Sequence, residues 1–200
     1  MITTQLRELG VYKGFVSLIS ARFISNFGNG LSDIALAYGV LSLNGATGKD
    51  LSIVMFARLF PMIALMLFGG VIGDRFKRNR IVGGTDMLGS LFVAISAASF
   101  IFAFASVPLL VVMGFLFGIL NAMWWPAMLG VLPAIVPKEK LNDGNAVLGL
   151  LSNFGYVVGA LSGGALVTLF GSGWALLVDA LSFFIAGVLV WRLDMAPMEK

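Results

Sequence analysis

The chain has 200 residues, 59% of them apolar and only 12% charged, with a mean hydropathy of +0.99; soluble domains balance nearer half apolar and a quarter charged. A soluble core could not absorb that much apolar surface, and a net charge of +3 is too small for a nucleic-acid footprint. Cysteine and histidine are absent, which removes disulfide frameworks, thiol catalysis, the usual zinc clusters and imidazole relays, leaving carboxylates as the proton-binding groups near neutral pH.

Met1 to Lys13 carries Arg7, Glu8 and Lys13 ahead of an apolar stretch that is too long for a signal-peptide core and lacks a small-residue cleavage site. The segment is therefore expected to be retained. Its Ile2, Leu6 and Leu9 have helical spacing, which suits an interfacial lead-in helix or a frayed tail. Six apolar runs follow, over residues 15–43, 51–72, 81–104, 109–136, 146–170 and 174–191. Each can cross a hydrocarbon layer about 30 Å thick as a helix.

Connections between the runs sort by charge. Those around Asn44 to Asp50, Ala105 to Pro108 and Gly171 to Gly173 hold one base, Lys49, whereas the other face collects Arg7, Lys13, Arg75, Lys77, Arg78, Arg80, Lys138, Lys140, Arg192 and Lys200. The positive-inside rule then puts both termini in the cytoplasm of a multi-pass plasma-membrane protein. Trp174 and Trp191 fall at opposite interfaces, whereas Trp124 and Trp125 lie too deep for an aromatic belt. Six spans with both termini on one side suit an all-α bundle of three plus three inverted helices, although no residue-level repeat links the triplets.

In the first span Arg22, Asn26, Asn29 and Asp33 recur every three or four residues, with Ser25 and Ser32 alongside, so they share one helical face. An Arg or Asp near a span centre costs about 2.5–3.5 kcal/mol. The stripe must therefore face either a water-filled cavity or partner helices. Helix rise puts Asp33 about 15 Å and Arg58 about 10 Å from the outer ends of their spans, close enough in depth to pair. Such a pair is either a permanent structural contact or a gate that links protonation of Asp33 to helix movement.

The turn after the second span, Gly69 to Arg80, packs Asp74 with Arg75, Lys77, Arg78 and Arg80 between two apolar runs, so it sits in water. Its spacing Gly70-x-x-Gly73-Asp74-Arg75-x-x-Arg78 resembles the loop motif G-x-x-x-D-R-x-G-R-R of the major facilitator superfamily. Lys77 stands where that pattern has glycine and Asn79 where it has a base. The resemblance implies a cytoplasmic gating contact that stabilises the outward-facing state.

Further along, the fourth run holds Asn121, Trp124, Trp125, Pro126 and Pro133. The tryptophans either fill helix packing or offer flat faces to an apolar or aromatic substrate. Gly155, Gly159, Gly163 and Gly164 in the fifth run form a small-residue stripe for close helix packing. With Ala160 in the proline position, this stripe is similar to the superfamily's antiporter motif G-x-x-x-G-P-x-x-G-G. Asp86 is expected to meet the hinge bases, and Asp179 to pair with a hydroxyl or amide. The segments around Pro126 to Pro133, Asn142 to Asn145 and Val178 to Phe183 resemble the branch of the superfamily that contains macrolide and enterobactin exporters.

The resemblance implies the amino-terminal half of a twelve-helix transporter that moves a small amphipathic molecule outward by proton antiport. A second six-span half is expected as a partner, whether it is missing from this chain, a separate chain or a second copy. Neither enzymatic activity nor a cofactor or metal is expected, since no P-loop, activated nucleophile or metal-ligand cluster occurs. A non-transporting six-span scaffold or regulatory protein and an uptake facilitator are the competing readings.

Overall fold

The computed structural model describes residues 7–73 and 76–194, the side chains of 71–73 excepted. Its long helices are α1 (Phe15–Leu41), α2 (Gly48–Gly73), α3 (Arg78–Ile101), α4 (Val107–Leu129), α5 (Leu141–Phe170) and α6 (Ser172–Trp191). No strand occurs among the described residues. Helices α2 to α6 are each long and apolar enough to cross a membrane. At 27 residues, α1 has the length, and its polar stripe is what lowers its hydropathy.

Local chemistry sets the helix ends. Gly14 precedes α1 at φ 93°, a left-handed conformation that glycine adopts without strain. At the start of α2 the Asp50 carboxylate reaches back to Thr47, whose amide and hydroxyl each donate to Oδ2 at 2.8 Å, so that a donor at the helix start is satisfied. The apolar run 109–136 does not stay α-helical to its end. Instead α4 stops at Leu129, and Leu132–Ala134 forms a separate 3-10 turn, because Pro133 has no N–H for α-helical bonding. Similarly α3 ends at Ile101 rather than 104, followed by Ala103 at φ 58°.

The packing carries an internal two-fold relation. α1 lies along α5 as α4 lies along α2, α1 packs on α6 as α4 packs on α3, and α3 packs on α6. Exchanging the first three helices for the last three maps the first four of these pairs onto one another and the α3–α6 pair onto itself, which is the three-plus-three inverted arrangement. Backbone contact lives at small residues. Gly83 and Gly187 face each other's carbonyls across α3 and α6, and a Cβ on either would come within 2.8 Å of the facing oxygen. Gly155, Gly159 and Gly163 lie against the α1 backbone at Phe23, Phe27 and Leu31, whereas a Cβ on Gly164 would meet nothing within 4 Å.

The end of the bundle that carries the 73–78 connection, the hinge end, holds the largest core cluster. It includes Phe15, Leu18, Val82, Val131, Val147 and Val190. Leu9 is fully buried in this cluster, so it belongs to the core and not to an interfacial helix; Ile2 and Leu6 lie outside the described residues. The Lys140 Nζ to Glu8 Oε2 contact at 2.6 Å ties this amino-terminal segment to the turn before α5.

Asn79 and Arg78 show what the hinge-end side chains do. Asn79, in the position where the loop motif has a base, donates from Nδ2 to the carbonyls of Leu193 at 2.8 Å and Trp191 at 3.3 Å. It thereby supplies donors to two carbonyls at the end of α6. The Arg78 guanidinium occupies the space where a side chain on Gly130 would stand, at the carboxyl end of α4, where a cation is favoured by the helix dipole. Arg80 lies over the Trp191 ring at 4.3 Å.

Candidate functional site

One cavity of about 470 Å³ gathers the whole polar stripe of α1 together with Arg58 of α2 and Asn121 and Trp124 of α4. Helical spacing points Arg22, Asn26, Asn29 and Asp33 the same way, and the cavity wall is completed by apolar and aromatic side chains, among them Phe117, Trp125 and Phe183. Thus all seven residues that the sequence singles out for this role lie together.

The ionic groups form two levels. At the inner level, towards the hinge end, the Arg22 guanidinium lies over the Trp124 ring at 4.5 Å and faces Asp86 of α3. Trp124 and Asp86 are buried, and the indole Nε1 makes no hydrogen bond of ordinary geometry, with Asp86 the carboxylate beside it. At the outer level Arg58 lies over the Phe117 ring at 4.7 Å. Its Nη1 is 3.5 Å from Asp33 Oδ1 and its Nη2 donates to Asn29 Oδ1 at 3.4 Å. Tyr156 of α5 donates its hydroxyl to Asp33 Oδ2 at 2.9 Å.

The expectation that Asp86 meets the hinge bases is corrected here. Asp86 lies about 12 Å into α3 and Arg22 about 11 Å into α1 by helix rise from the same end of the bundle, so it faces Arg22. The two tryptophans divide their work. Trp124 is packed under Arg22, and Trp125 leaves 44% of its surface exposed on the cavity wall. Two partners went unread in the sequence, Phe117 and Tyr156. Both are aromatic residues inside apolar runs, where nothing but the four- and seven-residue spacing to Asn121 and Trp124 marks Phe117 as sharing their face.

Asp179 is fully buried between α6 and α1. Its partners are hydroxyls, as expected: Ser182 Oγ lies 3.5 Å from Oδ1, and Ser32 approaches from α1. A Cβ on Gly28 would overlap both Asp179 and Ser182, so the missing side chain on α1 is what admits this carboxyl. Of the loop motif, Gly70 faces open space and Gly73 ends α2. Asp74 and Arg75 lie outside the described residues.

The arrangement offers no reacting geometry and a good binding geometry. Apolar walls, a few convergent polar groups and balanced charge, two arginines against two aspartates, suit the binding of a small molecule.

The sequence as a whole matches a family model described as Major Facilitator Superfamily over residues 18–200. It is 29% identical over 186 residues to the Multidrug efflux pump Tap of Mycolicibacterium fortuitum, covering 88% of this chain and 45% of that protein. With the Enterobactin exporter EntS of Citrobacter koseri it shares 26% identity over 184 residues, 90% of this chain and 43% of that protein. The Uncharacterized MFS-type transporter YfiS of Bacillus subtilis is 25% identical over 182 residues, 90% of this chain and 42% of that protein. The chain thus spans less than half the length of these curated relatives.

Proposed function

The chain belongs to the major facilitator superfamily, and on that premise we propose that it forms one wall of an exporter that moves a small amphipathic molecule outward by proton antiport. The observation that carries the proposal is the cavity itself. It sets four ionic side chains among aromatic rings, and the Asp33 side chain in it is 42% exposed, an arrangement that lipid would penalise and water would not. Relatives named as exporters, with EntS and Tap among them, support the direction of transport.

In this reading the other wall is a second six-span half. α2 and α5 bury only 17% and 22% of their spans and expose Phe56, Phe60, Ile63, Leu67, Val157 and Leu161, apolar area that lipid or a second half can cover. Both termini and the 73–78 connection face the cytoplasm, in accord with the sorting of bases along the chain. Asp33 is the coupling carboxylate: a proton on it removes the charge that Arg58 and Tyr156 hold, releasing the contact between α1 and α2 at this level.

The absence of native cysteine makes the test direct. Single cysteines in place of Asn29 and Trp125 should react with a water-soluble thiol reagent in intact membranes, and candidate substrates should slow the reaction. Cysteines sealed from the reagent in every condition would reject a transport cavity. In the protein assembled with its second half, Asp33→Asn should leave insertion intact and abolish the dependence of efflux on an imposed pH gradient. Unchanged coupling would remove Asp33 from the mechanism.

A further inference from the structure

Between the two arginine levels of the cavity stand two side-chain amides whose orientation is set from behind. Asn26 Nδ2 donates to the Arg22 carbonyl at 2.7 Å, and Asn121 Nδ2 donates to the Phe117 carbonyl at 3.0 Å. Each bond commits one N–H of the amide to its own helix one turn back and fixes its orientation, so that Oδ1 remains uncommitted together with the second N–H. The opposite orientation would set oxygen against carbonyl oxygen, so the backbone decides that Oδ1 is free. Among the described residues no group donates to either Oδ1.

The two amides share one level of the cavity. Arg22, one turn before Asn26 on α1, lies on Trp124, three residues after Asn121 on α4. Farther along α1, Asn29 and Asp33 meet Arg58, which lies on Phe117, four residues before Asn121. Successive spans cross in opposite directions, so α1 and α4 are antiparallel and these two contacts bracket positions 26 and 121. Both residues line the cavity.

Charge narrows what can sit there. Arg22 is offset by Asp86 and Arg58 by Asp33, so the level carries no net charge to attract an ion. A carboxylate placed there is opposed by the two Oδ1 atoms and an ammonium by the two guanidinium groups, so that for either ion one set of neighbours cancels what the other gives. A hydroxyl or amide N–H satisfies the oxygens and meets neither penalty.

We propose that the Asn26–Asn121 level determines specificity and accepts uncharged hydrogen-bond donors, hydroxyl or amide N–H groups, from a substrate whose flat apolar part lies on Trp125. This rests on the reading of the cavity as a substrate site. It does not depend on transport, and it can be tested on this chain alone.

Binding of four naphthalene probes to the purified chain in detergent, read by quenching of tryptophan fluorescence, provides the test. The probes carry a primary carboxamide, an N,N-dimethyl carboxamide, a carboxylate and an ammonium. The primary carboxamide should bind about tenfold more tightly than its dimethyl analogue, the effect of one buried hydrogen bond, and more tightly than either ion. Asn26→Leu and Asn121→Leu should each erase that preference and leave the dimethyl probe unaffected, with helix content checked by circular dichroism. Should a leucine variant fail to fold, Asn26→Asp and Asn121→Asp keep the size and should move the preference to the ammonium probe. An unchanged preference in folded variants, tighter binding of either ion by the unaltered chain, or no binding of any probe would overturn the proposal. The expected preference in a chain whose Asn29 and Trp125 cysteines are never substrate-sensitive would sustain it while rejecting transport.

Discussion

Arg22 and Arg58 are seated alike and held differently. Each guanidinium lies on a ring of α4, at 4.5 Å and 4.7 Å, and each faces one carboxylate from another helix. Arg22, half-buried like Arg58, has a partner closed off from water, with Asp86 only 5% exposed. Around Arg58 the site is open, with side-chain exposures of 25% for Arg58 and 42% for Asp33 and a single 3.5 Å contact between them. A closed pair that loses one member strands a charge, whereas water replaces the missing member of an open one. The same chemistry therefore clamps α1, α3 and α4 together at one level and leaves exchangeable partners at the other.

That contrast breaks most readily at Asp86. Asp86→Ala should cost up to about 3 kcal/mol in unfolding measured in detergent, because it removes the buried carboxylate beside the half-buried Arg22, and the double variant with Arg22→Met should recover part of the loss. A loss no larger than that at Asp33 would end the distinction between the sites. Packing offers a matching pair of positions on α5. Gly159→Leu should cost about 1–3 kcal/mol, since any side chain there overlaps the Phe27 carbonyl. Gly164→Ala, facing open space, should stay within about 0.5 kcal/mol of the parent. The smallest stability effect is expected at the open site: Asp33→Asn should change unfolding by less than about 1 kcal/mol. Its effect should appear in the pH-gradient dependence of efflux instead, and a large loss of stability would show that this pair is a clamp too.

Much of this architecture was legible in the chain. Run length leads to six spans, and the i, i+4, i+7, i+11 recurrence of Arg22, Asn26, Asn29 and Asp33 marks one polar helix face, although whether that face meets a cavity or partner helices stays open in the sequence. Helix rise places Asp33 beside Arg58 because both lie in runs whose outer ends are marked by polar residues. The same arithmetic fails for Asp86. The apolar run begins at Ile81 but α3 begins at Arg78, so the carboxylate lies one turn deeper than the run suggests, beyond the hinge bases and level with Arg22. Apolarity likewise hides the break after Leu129, where Pro133 replaces α-helix by a 3-10 turn. The three-plus-three relation is legible only from the number of spans and the shared side of the termini, with no residue-level repeat behind it, because it resides in which helices touch and not in which residues recur.

The pairing of α1 with α5 and α6 bears on how the protein is made. About a hundred residues separate the end of α1 from the start of α5, so α1 leaves the ribosome long before the helices that cover it. Its stripe then meets lipid or the insertion machinery with Arg22 and Asp33 uncovered, at about 2.5–3.5 kcal/mol for each ionic group. Nascent chains arrested after α3 should show α1 accessible to protease, and chains extended through α6 should show it protected. Synthesis order thus makes the most polar helix the last to be secured.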